Sequence, residues 1–145
     1  MKKEFFFSTK ALIINDNKFL AIYKLIDDKK RWDLPGGRME FGETAEETLA
    51  REIREELEIE VKPIKLIDTW EYKPSENFHT TGIIYHCEII PGEINISDEH
   101  DGFDWISIQD IGEIFDRDIF VDRMKSWNWD SIMNSKIVYK CYNND

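Results

Sequence analysis

The segment from Thr44 to Leu57 constrains this chain most, because its pattern suits a capped two-faced helix and does not suit a strand. Thr44 is followed three residues later by Glu47, the spacing at which a hydroxyl and a carboxylate reciprocally satisfy orphan N–H groups at a helix start. Ala45, Leu49, Ile53 and Leu57 recur every four residues and form one apolar stripe. Glu47–Arg51 and Arg51–Glu55 are opposite charges one turn apart. A helix is therefore expected over residues 45–57. At ~100° per residue, Glu52, Glu55 and Glu56 share a second face, roughly 90° from the stripe. Carboxylates so placed repel one another. Such a face is either a solvated acidic surface or a set of hard oxygen ligands for a divalent cation. Gly36-Gly37 upstream favours the second reading: glycine lets backbone approach a ligand closely, and a free carbonyl there is another hard ligand.

The rest of the chain reads mainly as strands around this helix. Residues 5–14 and 18–25, on either side of Asn15-Asp16-Asn17, read as a hairpin. Residues 27–30 read as a polar loop, and 32–34 as a short extended piece ending in a tight turn at Pro35-Gly36-Gly37. Residues 61–72 and 81–90 read as longer strands joined by a polar loop over 73–80. Residues 97–102 read as an acidic loop before Trp105. Residues 108–115 and 120–132 read as helices, while the tail from Ser135 is open between a strand and a frayed end. Trp127, Trp129, Met124 and Met133 read as packing residues. Helices on a mixed sheet, an α+β protein, is the expectation.

A chain of 145 residues is one domain's worth, and residues 1–145 are expected to form a single domain. No apolar run approaches the ~20 residues that span a bilayer, so no membrane association is expected. Phe5-Phe6-Phe7 is broken by Ser8-Thr9-Lys10 with no cleavage site after it, and reads as a first strand, not an export signal. The net charge of −11 argues against an extended nucleic-acid groove, which would be basic. A small anion is still admissible through a local basic patch or a metal ion. Cys87 and Cys141 are far apart and His79, His86 and His100 are scattered, so no zinc spacing exists. Reduced thiols in a cytoplasmic protein are the default expectation.

The residues around the helix carry a more specific pattern. Gly37 is followed after five residues by Glu43, and after seven more by Arg51-Glu52-Ile53-Arg54-Glu55-Glu56-Leu57-Glu58-Ile59. This resembles the Nudix box, G-x5-E-x7-R-E-U-x-E-E-x-G-U with U apolar, and Leu34-Pro35-Gly36 resembles the usual lead-in. One position departs: Glu58 stands where the box has its second glycine. Two endings are open there: a left-handed Glu58, at a cost of roughly 1–2 kcal/mol for a side chain with a Cβ, which is the favoured expectation, or a helix that ends differently and shifts the turn into Val61.

The resemblance implies an α/β/α sandwich with a mixed central sheet, the box forming its loop–helix–loop, and Trp105 entering a helix after the acidic loop. It implies a hydrolase of nucleoside diphosphates linked to another moiety, using Mg²⁺ or Mn²⁺. Glu52, Glu55 and Glu56 would hold metal and activate water, joined by the Gly37 carbonyl. Glu43 and Arg51 would orient the helix and its carboxylates. Glu99, six residues before Trp105, sits where some members carry a further catalytic glutamate. It stays open between a base and a solvated acid, with Asp98 and Asp101 as neighbours. Lys24, Arg31 and Arg38 are candidates for phosphate contact. Phe7, Trp32, Phe78 and Phe103 are candidates for base stacking, though aromatics equally fill cores. The leading reading is a house-cleaning hydrolase of a nucleoside triphosphate or related small nucleotide. The alternatives are an ADP-ribose or nucleotide-sugar pyrophosphatase and a non-catalytic nucleotide-sensing module. Oligomeric state is not legible.

Overall fold

The computed structural model describes residues 2–134; the tail from Ser135, Cys141 included, lies outside the described residues. β1 (Glu4–Asn15) and β2 (Lys18–Ile26) turn at Asp16 and Asn17, with φ of 51° and 60°, a conformation that short polar side chains tolerate. The two strands pair only at this tip, Ile14 with Phe19 and Asn15 with Lys18. Beyond it they part. β1 runs parallel to β6 (Phe78–Ile89). β2 takes β3 (Lys29–Asp33) on one side and β7 (Gly102–Ser107) on the other, both antiparallel. β5 (Val61–Ser75) pairs antiparallel with β6 at the edge, and the short β4 (Gly36–Arg38) pairs antiparallel with β1. The sheet is mixed.

Alternation along β1 and β2 builds a core on each face of this sheet. Ala11, Ile13, Leu20 and Ile22 pack with Leu49, Ile53 and Leu57, the buried stripe of α1 (Ala45–Leu57). Leu12, Phe19 and Ala21 point the other way, toward Phe120 and Met124 of α2 (Asp118–Ser126) and Ile132 of α3 (Trp129–Met133). Helices therefore cover both faces, which is the layering of an α/β/α sandwich. α1 runs over the residues its spacing predicts, with the reciprocal Thr44–Glu47 capping box formed.

Several expectations need correction. Gly36-Gly37 is a strand segment, not a tight turn: Lys10 faces Gly36 and Thr9 faces Gly37 in register. Gly36 has φ 141°, and a Cβ there would collide with the Thr9 carbonyl, so the glycine serves close approach between strands. The polar loop over 27–30 shrinks to a turn at Asp27 and Asp28, because β3 begins at Lys29. The loop over 73–80 shrinks to Glu76-Asn77, and Ser75 pairs with Phe78. Pro74 is tolerated because β5 is an edge strand, with no further neighbour among the described residues awaiting an N–H. Trp105 lies on β7 and is followed by a single 3₁₀ turn, Ile108–Asp110, instead of a helix. The Asp110 carbonyl then accepts from Glu113, Ile114 and Phe115, and Gly112 adopts φ 99°, so the segment folds as turns. The last expected helix breaks at Trp127, whose ψ of 148° ends α2, and Asn128 restarts it by capping α3 through Ser131.

Candidate active site

The site is built where β4 delivers the chain to α1. Arg51 is its organising cation. Its Nε donates to Glu43 at 2.6 Å, its Nη1 lies 3.0 Å from Glu52 and 3.3 Å from Glu55, and its Nη2 donates to the Arg38 carbonyl at 2.9 Å. Glu43 also accepts from the Glu40 N–H and the Thr48 hydroxyl. Its hydrogen bond from Arg51 holds its carboxyl down at about 2. Glu43 and Arg51 thus tie the loop to the helix. Glu55 is more than half exposed and reaches Arg51.

Glu52 and Glu56 lie deeper. A Cβ on Gly37 would run into the Glu52 carboxylate, so this side chain sits directly against the Gly37 backbone. Glu56 is 5% exposed, and its Oε1 accepts from the Gly36 N–H at 2.7 Å. Burial pushes its carboxyl up to about 8, against the lowering influence of Lys10 and the Gly36 N–H, with the Glu52 and Asp33 charges adding to the rise. Burial likewise raises Glu52, although Arg51 opposes it. Two carboxylates have been taken out of water without enough positive charge beside them.

The loop after β6 is pinned to the end of α1, where Asn95 and Ser97 donate their N–H groups to the Leu57 and Glu56 carbonyls. These are carbonyls the helix itself leaves unsatisfied. Asp101 fastens the other end, its N–H on the Tyr23 carbonyl and its carboxylate on the Leu25 N–H at 2.6 Å. Between these anchors the loop carries Glu99, which is exposed, and turns His100 inward. His100 Nε2 lies 3.8 Å from Glu56 Oε2, and its pKa is depressed by burial and by Lys24. The expected loop acid thus lies next to a histidine whose Nε2 faces Glu56.

Among the phosphate candidates, Lys24 and Arg31 are cross-strand partners. Arg38 instead turns its guanidinium onto Phe6, 3.7 Å from the ring centroid, with Phe78 beside it. The sequence reading missed Lys10. Only 9% exposed, it pairs with Asp33 at 3.2 Å, and its charge reaches Glu52 and Glu56. The lone cation within the apolar β1 run was its only signal. His100 had none, since only the fold brings it to Glu56. A cleft of about 520 Å³ between β3 and the start of α2 was also not foreseen; Trp32 and Tyr72 line it, but Phe7, Phe78 and Phe103 do not.

Hard carboxylate oxygens that are already desolvated, set against backbone at Gly37, suit a hard divalent cation. As they lie, no three acidic or histidine side chains among the described residues stand close enough to coordinate one ion; Arg51 draws Glu52 and Glu55 to itself. No helix among the described residues is long and apolar enough to cross a membrane.

The family model of the NUDIX domain matches residues 7–127. The nucleoside triphosphatase NudI of Escherichia fergusonii is 32% identical, over 70% of this chain and 82% of its own. The MutT protein from Methanosarcina mazei Go1 superposes with a TM-score of 0.71 at 24% identity, covering 86% of this chain and 96% of that one. The ORF135 protein of E. coli superposes at 0.73 with 19% identity, covering 92% and 94%.

Proposed function

The chain belongs to the Nudix family of hydrolases, and we propose that it cleaves a pyrophosphate linkage in a nucleoside triphosphate or related small nucleotide, with Mg²⁺ or Mn²⁺ as cofactor. The observation that carries this reading is the pair of desolvated carboxylates at the β4–α1 junction, Glu52 against Gly37 and Glu56 on the Gly36 N–H. A pyrophosphate is multiply anionic, and an acidic site would repel it unaided. A bound divalent cation supplies the missing positive charge and lowers the pKa of a bound water.

In this reading Glu52, Glu55, Glu56 and the Gly37 carbonyl hold the cation, and Glu43 and Arg51 keep those carboxylates in place. Lys24, Arg31 and Arg38 flank the phosphates, with Lys10 at the inner end. Glu99 takes the proton from the attacking water, a role typically worth 10²–10⁴-fold. The triphosphate is favoured over ADP-ribose or a nucleotide sugar because NudI relatives are named nucleoside triphosphatases. A non-catalytic module is disfavoured because every acidic position of the box is kept. Nucleotides of this kind are cytoplasmic metabolites, and the reading carries that location with it.

The test is one assay. Nucleoside triphosphates, ADP-ribose and nucleotide sugars are each incubated with the protein and Mg²⁺, and phosphate, pyrophosphate and monophosphate are measured separately. Triphosphates should turn over fastest, and a chelator should abolish turnover. Faster cleavage of ADP-ribose or a sugar nucleotide would move the substrate class, and no cleavage of any would end the enzymatic reading.

A further inference from the structure

Arg38 follows directly on Gly37, whose backbone lies against the Glu52 carboxylate, so it is one residue from the carboxylate site. It is held at two points. Its carbonyl accepts from Arg51 Nη2 at 2.9 Å, and its guanidinium carbon lies 3.7 Å from the centroid of the Phe6 ring. The register of β1 and β4 explains the second contact. Ser8 faces Arg38, and Phe6 is two residues back along β1 on the same side of the strand, a diagonal neighbour that a long side chain can reach. Phe6 is backed in turn by Phe78, whose ring centroid is 5.6 Å from that of Phe6 and 5.7 Å from the guanidinium carbon. Tyr72 stands beside Phe78 at 6.2 Å.

What Arg38 lacks is an acid. The chain has 30 acidic residues against 19 basic ones, yet the loop neighbours Glu40 and Glu43 both face Arg51. The Arg38 guanidinium enters no ion pair and no side-chain hydrogen bond among the described residues. A ring face attracts the positive charge and uses none of its N–H groups, so the five donors of an arginine stay open on a cation whose place is already set. A side chain held in this way gives up little further freedom when it binds an anion.

We propose that Phe6 is a positioning residue: its ring, backed by Phe78, holds the Arg38 guanidinium in place with its donors free for a phosphate of the substrate. The inference rests on the pyrophosphate reading above, and adds to it a side chain with no polar atom and no place in the box. Phe6 acts only through Arg38. Phosphate oxygens accept from the guanidinium, a charge-assisted hydrogen bond that the arginine fork makes well. A ring that Arg38 merely covers would contribute to folding and leave phosphate binding alone, and this difference separates the two roles.

The experiment is a double-mutant cycle on binding. The full chain, with Mg²⁺, is titrated calorimetrically with methylenediphosphonate, a pyrophosphate analogue whose CH₂ bridge resists hydrolysis and which carries no base. The wild type is compared with Phe6→Leu, Phe6→Tyr, Arg38→Gln and the Phe6→Leu, Arg38→Gln double variant, with circular dichroism to verify that each is folded. Arg38→Gln should weaken binding about tenfold, as loss of a charged hydrogen bond does. Phe6→Leu should weaken it about threefold, the size of an exposed cation–π contact. Phe6→Tyr keeps the ring and should bind as the wild type does. In the Arg38→Gln background Phe6→Leu should change nothing, because the residue through which the ring acts is gone. Arg38 is exposed, so its variant tests the claim even if Phe6 proves essential to folding. The proposal is overturned by wild-type binding in Phe6→Leu or in Arg38→Gln, by equal weakening from Phe6→Leu in both backgrounds, by a tyrosine variant as weak as the leucine one, or by no binding of the probe. Turnover of triphosphates is measured apart from this. Hydrolysis without coupling between Phe6 and Arg38 sinks only the role of Phe6, and coupling without hydrolysis sinks only the enzymatic reading.

Discussion

Glu58 closes α1 with φ 55° and ψ 33°, its N–H on the Arg54 carbonyl, so the position where the box pattern has glycine is left-handed here with a Cβ in place. Its exposed charge also sits at the negative end of the helix dipole. Glu58→Gly should therefore stabilise the protein by about 0.5–1 kcal/mol, the strain relieved being partly offset by the unfolded-state entropy of glycine. Urea denaturation of the two forms decides it, and a loss of stability would show that the side chain does more than fill a strained position. Glu56 makes an opposite kind of statement, through pH. Its carboxyl is raised from 4.5 to about 8 chiefly by burial, so the folded state holds a proton that the unfolded chain has lost. In metal-free protein this contribution is fully present below about pH 4.5 and is lost as pH climbs toward 8, a change of order a few kcal/mol. Glu56→Gln should flatten that part of the stability profile in chelator; a profile as steep as the wild type's would mean that the burial is relieved in solution. Glu99 is exposed, and His100 is the loop side chain facing Glu56. If Glu99 is the base, Glu99→Gln should lower kcat by on the order of 10²-fold or more at nearly unchanged nucleotide affinity. A change under about threefold removes it from the chemistry.

At the scale of elements, α1 was legible because everything that specifies it is local: cap, stripe and opposite-charge pairs all lie within a few residues of one another. That makes its cap a clean target. Thr44→Ala removes the acceptor of the Glu47 N–H while the Glu43–Arg51 clamp holds the helix elsewhere, so it should cost about 1 kcal/mol by thermal or urea unfolding. A neutral result would assign the helix start to the clamp. The elements read wrongly are those settled by distant partners. Ile108, Ile111 and Phe115 have helical spacing, and Ile111 and Phe115 are indeed buried, but Gly112 and the Asp110 carbonyl reach the same burial through turns. Gly36-Gly37 looks like a turn in sequence and becomes a strand only because β1 lies alongside it. The same holds in the site. Glu43, Arg51, Glu52 and Glu56 follow from spacing on one helix and its leading loop, whereas Lys10 and His100 arrive from other elements and leave no mark in spacing.

For the molecule as a whole, a net charge of −11 means that any multivalent cation will associate with it to some degree, and a site must be told apart from that background. Diffuse association follows ionic strength and is screened by monovalent salt. A site that holds the cation on Glu52 and Glu56 binds the folded state alone and stabilises it by RT ln(1 + [L]/Kd), about 2.7 kcal/mol at a hundredfold excess over Kd. For a domain of this size that is a rise in Tm of roughly 5–10 °C. Mg²⁺ or Mn²⁺ should produce the shift, a chelator should reverse it, and NaCl at matched ionic strength should give little of it. Glu52→Gln should remove most of the response by deleting one of the two desolvated charges. Glu46→Gln, an equal change of charge at an exposed position in the first turn of α1, should leave it intact. Equal responses to NaCl and Mg²⁺, or an undiminished response in the Glu52 variant, would place the cation on the general acidic surface and detach the metal from the β4–α1 junction.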